Sequence, residues 1–100
     1  MEIRAFQERI AEAYLRKDAR RGLAWTYAWF VEEVGELGKA LRESDGAGQA
    51  EEFADVFAWL CGLANLAGVK LEDAVTRKYA AGCPVCGRTP CACEEEVPNQ

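Results

Sequence analysis

The sequence predicts an all-α fold of four helices followed by a small cysteine-rich segment. Apolar residues recur at steps of three and four through most of the first 80 residues, and strand-like alternation never extends beyond a few residues. Four cysteines are concentrated near the C-terminus. One hundred residues correspond to a single domain. A domain of this size buries only about 60–65 % of its unfolded surface. We therefore expect a bundle-like helical unit that self-associates.

The first two predicted helices cover residues 2–17 and 23–43. In the first, apolar side chains from Ile3 to Tyr14 share one face. The segment Asp18–Gly22 contains two arginines and a glycine and predicts a break or bend. The second helix has apolar residues at alternating steps of four and three: Leu23, Tyr27, Phe30, Val34, Leu37 and Leu41.

The third and fourth predicted helices cover residues 49–66 and 71–81. The turn-forming segment Ser44–Gly48 precedes the third helix, and so short a loop makes helices two and three antiparallel neighbours. Glycines at positions 68 and 82 are expected to end helices three and four. The third helix continues the apolar pattern with Phe53, Val56, Leu60, Leu63 and Ala67. We divide the chain into a helical domain (1–82), a cysteine segment (83–93) and an acidic tail (94–100) that we expect to be disordered.

Two pairs of carboxylates are the strongest functional signal. Glu33 and Glu36 lie on the second helix, and Glu52 and Asp55 lie on the third. Each pair is spaced i, i+3, so both members share a helix face, and each acid directly precedes an apolar seam residue. Because the acids of both helices come one position before a seam residue, both pairs lie on the same side of an antiparallel helix pair. Clustered acids repel each other unless a cation lies among them, and oxygen ligands suit a hard divalent ion such as magnesium.

The cysteine segment predicts a second metal site. Its four thiols, Cys83, Cys86, Cys91 and Cys93, occur as a C-P-x-C-G turn followed by C-x-C. This pattern is typical of a closed, structural four-thiolate zinc site. Two disulfides, loose thiols, or an iron–sulfur or redox role are the alternatives, although a cytoplasmic protein disfavours disulfides. Cys61, in the third helix, is predicted to be a small buried apolar residue.

Composition and charge exclude several classes of function. The net charge of −5 disfavours non-specific nucleic-acid binding. No apolar run is long enough to span a membrane, and the N-terminus lacks a signal-peptide pattern, so we expect a cytoplasmic protein with no membrane partner. The chain has no histidine, which excludes histidine-based catalytic triads and histidine zinc ligands.

The run Glu32–Leu37, followed by Glu52–Asp55, resembles the acid motif of MazG-type nucleotide pyrophosphohydrolases of the all-α NTP pyrophosphatase superfamily. The likeness extends over roughly residues 1–80, but a C-terminal cysteine knuckle is not part of the family pattern. It implies magnesium-dependent hydrolysis of nucleoside triphosphates between the α- and β-phosphates, with Glu33, Glu36, Glu52 and Asp55 holding the metal.

Three further roles follow on this interpretation. Glu32 could orient or deprotonate the attacking water, and Lys78 corresponds to a basic residue that the family places near the phosphates. Trp29, one turn before Glu33, could stack on a base. The asparagine that many relatives carry after the lysine is replaced here by Ala80 and Ala81.

Two other functions remain open. Another enzyme of the same superfamily, a phosphoribosyl-ATP or dUTP-type pyrophosphatase, would share the acid motif. A protein of a different class, a non-catalytic zinc-knuckle interaction protein, would use the helices for association only. The resemblance does not choose between a homodimer and a homotetramer.

Overall fold

Four α-helices make up most of the protein, and this confirms the predicted all-α class. The structure is a computed structural model that describes residues 1–94, and no strand occurs within that range. Only Glu94 of the predicted disordered tail belongs to the described residues. The helices are α1 (Ile3–Arg21), α2 (Leu23–Glu43), α3 (Gly46–Ala67) and α4 (Leu71–Tyr79).

Two predicted breaks in the chain are shorter than the sequence indicated. The expected break at Asp18–Gly22 is confined to Gly22, whose φ of 92° interrupts the backbone, while α1 runs on to Arg21. The expected turn Ser44–Gly48 is reduced to two residues, because Asp45 caps α3. The Asp45 side chain accepts a hydrogen bond from Gly48 N at 3.1 Å, and the helix begins at Gly46.

Helices α2 and α3 form the main packed pair, α1 lies against α3, and α4 packs on α1. The Trp29 and Trp59 rings stack 6.4 Å apart, one turn before Glu33 and one turn after Asp55 respectively. Residue numbers therefore increase along α2 in the direction in which they decrease along α3, so the two helices are antiparallel, as predicted. Phe6 of α1 stacks on Phe57 of α3 with ring centroids 5.5 Å apart.

A buried glutamine joins three of the helices. The Nε2 group of Gln7 donates to Asn65 Oδ1 at 3.0 Å and to the carbonyl of Val69 at 2.7 Å. Its Oε1 accepts from Leu71 N at 2.9 Å, which satisfies one of the free N–H groups at the start of α4. Gln7 therefore fixes the turn between α3 and α4 against α1.

The apolar surface of α2 and α3 is wider than one helix interface can cover. Positions from the predicted seam that remain at least 37 % exposed are Leu23, Tyr27, Val34, Leu41, Phe53 and Leu60. On α2, the side turned towards the rest of the chain instead carries the fully buried Thr26 and the half-buried Phe30, Glu33 and Leu37. The half-buried Glu33 therefore shares this side of α2 with Phe30 and Leu37.

No single helix of residues 1–94 is both long and apolar enough to cross a membrane. Helices α3 and α4 reach such a length and apolar composition only together, and the chain bends by 98° between them.

Candidate metal centre and adjoining pocket

Three of the four predicted acids converge between α2 and α3. One carboxylate oxygen from each of Glu33, Glu52 and Asp55 lies within 4.8 Å of the other two. Glu33 and Glu52 are half-buried and Asp55 is exposed, so the group is open to solvent on one side. Glu33 enters from α2 and the other two enter from successive turns of α3, because residues three apart share a helix face.

The electrostatics of this acid cluster favour a cation. Desolvation and the charges of Asp55, Glu52, Glu36 and Glu32 raise the pKa of Glu33 above its ordinary value. The Oε2 atom of Glu52 is buried and has no hydrogen-bond partner among residues 1–94, an arrangement that is costly for a carboxylate oxygen. A divalent ion would supply both the missing partner and the missing positive charge. The acid cluster could therefore hold magnesium, which prefers oxygen ligands.

The other two candidate acids lie beside this cluster and outside the set of three. Glu36 is exposed and lines a concavity of about 280 Å³ together with Glu52. Glu32 is also exposed, and its charge reaches Glu33. Both acids thus contribute negative potential to the same face of α2.

The two candidate substrate contacts lie in different places. Trp29 is 45 % exposed and lies one turn from Glu33, with its ring against Trp59. Lys78 lies on the exposed surface of α4, where its Nζ is 5.7 Å from the centroid of the Tyr79 ring. Within residues 1–94, no ion pair joins Lys78 to the acid cluster.

Sequence reasoning did not place Lys17, Arg21 and Trp59 beside Asp55. A pocket of about 210 Å³ lies between α1 and α3, and it is lined by Asp55, Trp59, Lys17 and Arg21 among others. Trp59 could have been found from the antiparallel register, since it follows Asp55 by four residues and faces Trp29. No local signal connects the α1 residues to the acids, because their contacts depend on how α1 packs against α3.

The four C-terminal cysteines form a compact cluster, which we call the cysteine knuckle (residues 83–93). All four sulfur atoms lie within 4.8 Å of one another. Cys83 Sγ is 3.8 Å from Cys93 Sγ, and Cys86 Sγ is 3.9 Å from Cys91 Sγ. Sulfurs bound tetrahedrally at about 2.3 Å from zinc are about 3.8 Å apart, so the cluster could bind a metal with little rearrangement.

The backbone supports this arrangement of thiols. Backbone N–H groups of Cys86 and Val85 lower the pKa of Cys83 to about 6, whereas hydrogen bonding with Cys91 and Cys83 raises the pKa of Cys93 to about 12. A cation among the sulfur atoms would offset the negative charge of thiolates at this spacing. Gly82, with φ of 105°, begins the turn, and a Cβ there would overlap Thr89 Oγ1 and lie 2.8 Å from the Arg88 carbonyl oxygen.

Comparison with known proteins gives one family. The MazG nucleotide pyrophosphohydrolase domain matches residues 22–86, which include all of α2, α3 and α4 and the first two cysteines of the knuckle. No curated protein matches the chain.

Proposed function

As a member of the MazG nucleotide pyrophosphohydrolase family, this chain is a hydrolase of phosphoric anhydrides, and we propose that it converts nucleoside triphosphates to a monophosphate and pyrophosphate with magnesium. The observation that carries the proposal is the convergence of three carboxylates, one of which, Glu52, also has a buried oxygen with no hydrogen-bond partner among residues 1–94. Repelling acids held at the contact of two helices are costly for folding, and a bound cation explains why they are there.

We assign the metal to Glu33, Glu52 and Asp55, with Glu36 completing the ligand set from the adjoining turn of α2. When bound, magnesium would neutralise phosphate charge and polarise a water molecule. The protein's part is to hold its carboxylates close together, and the half-buried setting of Glu33 and Glu52 strengthens their interaction with a cation by limiting solvent. Such positioning of charge is the main requirement of phosphoryl transfer.

Three side chains complete the assignment. Glu32 would orient the water or accept its proton, since it is exposed on α2 and its charge acts on Glu33. Trp29 would contact the base, which its partial exposure one turn from Glu33 supports. Lys78 is assigned to the phosphates on the family resemblance, and its exposed position on α4 requires that the substrate or a second chain approach that helix.

We further propose that the protein is at least a homodimer. The exposed apolar positions on α2 and α3 include Tyr27 at 57 % and Phe53 at 55 %. A second copy packed against this surface would bury apolar area and so stabilise the fold, because few side chains of the single chain are fully buried. The second and third helices would then form the interface.

The cysteine knuckle is assigned to structural zinc. Four thiolates close the coordination shell and leave no position for water, so we place the knuckle outside the chemistry, as a separate unit after the helical domain 1–82. A cytoplasmic location completes the proposal, because a reducing compartment keeps such thiols free for metal.

A nucleotide panel tests the function. Purified full-length protein would be incubated with magnesium and each common NTP and dNTP, with dUTP and phosphoribosyl-ATP included to separate the related pyrophosphatases. The expected products are pyrophosphate and the monophosphate from at least one triphosphate, with loss of turnover in EDTA and poor support by calcium. Release of single phosphate with a diphosphate product would refute the assigned bond.

A further inference from the structure

The pocket beside Asp55 brings together charges that the metal site does not use. It lies between the C-terminal half of α1 and the middle of α3 and has a volume of about 210 Å³. Lys17 and Arg21 reach it from α1, while Asp55 and Trp59 reach it from α3. Two cations therefore share a cavity with a carboxylate of the acid cluster.

Arg21 is held in place by three contacts. Its Nη1 donates to Asp18 Oδ1 at 2.8 Å and to Thr26 Oγ1 at 3.4 Å. Its Cζ lies 5.1 Å from the centroid of the Trp59 ring, a distance typical of a cation–π contact. Both hydrogen bonds use Nη1, so the N–H groups on Nε and Nη2 keep their capacity to bind an anion.

The acid that anchors Arg21 is itself built into the packing. Asp18 is only 6 % exposed, so it requires a close cation. It lies against Gly62 of α3, where an added Cβ would come within 2.9 Å of Asp18 Oδ2. The lack of a side chain at Gly62 therefore lets Asp18 approach α3 and place Arg21 over Trp59.

Lys17 supplies the second positive charge. It is exposed, and within residues 1–94 it takes part in none of the ion pairs. In a chain of net charge −5, an anionic substrate needs local cations to approach the acid cluster.

We propose that this pocket binds the phosphate chain of the substrate, with Lys17 and Arg21 as phosphate contacts. The inference rests on the proposed function, because Asp55 belongs both to the acid cluster that would hold the metal and to the lining of this pocket. Bound phosphates extending towards α1 then meet an ammonium and a guanidinium, the groups that best recognise phosphate oxygens. A base is the poorer occupant, because the Trp59 ring already contacts both Arg21 and Trp29.

The test separates phosphate from base with probes that carry only one of them. Full-length protein with magnesium would be titrated by calorimetry with inorganic tripolyphosphate, which has no base, and with a nucleoside that has no phosphate. Lys17→Ala should weaken tripolyphosphate binding about tenfold, the loss of one charge-assisted contact, and leave nucleoside binding unchanged. Arg20→Ala removes the same charge from the neighbouring exposed turn of α1 and should change tripolyphosphate binding less than threefold.

Arg21 requires a gentler change, because it also pairs with buried Asp18. Arg21→Lys keeps the charge and loses the fork of donors, so it should weaken tripolyphosphate binding while circular dichroism shows an unchanged helix content. Equal effects of Lys17→Ala and Arg20→Ala would overturn the proposal, as would failure of the wild-type protein to bind tripolyphosphate at millimolar concentration. Weakened nucleoside binding in the Lys17 or Arg21 variants would instead assign the pocket to the base.

The two proposals fail separately. If the Lys17→Ala variant hydrolyses nucleoside triphosphates and binds tripolyphosphate like the wild type, the phosphate pocket is refuted and the proposed reaction stands. If Lys17→Ala abolishes tripolyphosphate binding but the wild-type protein hydrolyses no triphosphate, the phosphate pocket stands and the proposed reaction is refuted.

Discussion

Replacing Glu52 by glutamine should make the metal-free protein more stable and the enzyme much less active. The substitution conserves size and removes one negative charge from the acid cluster. It also gives the site an amide in place of the buried Oε2 atom that has no hydrogen-bond partner. The two effects have opposite signs because the Glu52 carboxylate repels its neighbours when no metal is bound and is a ligand when metal is bound.

The expected size of the stability effect follows from the separations in the cluster. At 4.8 Å, the upper limit of the oxygen separations in the cluster, two unit charges repel by about 3.5 kcal/mol at an effective dielectric constant of about 20 and by about 0.9 kcal/mol in bulk water. Exposure of Asp55 and the raised pKa of Glu33 place the relief towards the lower end. We expect about 1 to 3 kcal/mol, which raises the Tm of a domain this size by at least about 4 °C.

The change in stability is measured by thermal unfolding in magnesium-free buffer, and the change in activity is measured by turnover with magnesium. The matched control is Glu51→Gln, which removes the same charge from the preceding, exposed position. The control should leave Tm within about 2 °C and kcat within about threefold, whereas Glu52→Gln should lower kcat at least about a hundredfold. A fall in metal-free stability for Glu52→Gln, or a kcat like that of the control, would refute the charge argument.

Four further outcomes are expected. The pKa of Glu33 is raised in the folded state, so just above pH 4.5 the folded, metal-free protein binds more protons than the unfolded chain. Its stability should therefore fall as the pH rises through the folded-state pKa of Glu33. Thermal melts at several pH values measure this dependence, and Glu33→Gln should abolish it. Gln7→Ala leaves three partly buried hydrogen-bonding groups without their Gln7 partner and should cost about 1–3 kcal/mol in urea unfolding, against little change for the exposed Glu8→Ala. Truncation after Gly82 should remove one zinc per chain and lower Tm, while magnesium-dependent turnover stays within about tenfold; folded but inactive truncated protein would make the knuckle part of the active site. Light scattering at micromolar concentration should give at least twice the 11.0 kDa chain mass, and Tyr27→Arg should lower it, whereas a wild-type monomer would contradict the interface.

The sequence alone predicted the class of fold and the convergence of three of the four candidate acids. Helical periodicity identified all four helices, and the bounds of α2 were predicted as the structure has them. The i, i+3 spacing of the carboxylates and the short connection between α2 and α3 are local properties, so they predicted which acids would meet. Three of those four acids, Glu33, Glu52 and Asp55, do converge. The cysteine spacing likewise predicted a cluster, because all four thiols lie within a single turn-rich segment.

The tertiary structure decided which apolar face is covered and what surrounds the acids. Periodicity alone placed the α2–α3 contact on the stripe through Leu23, Tyr27 and Val34, but these side chains are exposed. The apolar arc of α2 exceeds one interface, and a sequence does not show which part a partner helix will cover. The contact of Arg21 with Trp59 depends on how α1 crosses α3, since the two residues lie about 40 positions apart in the chain. Such contacts have no local sequence pattern, because they arise only when the whole unit is packed.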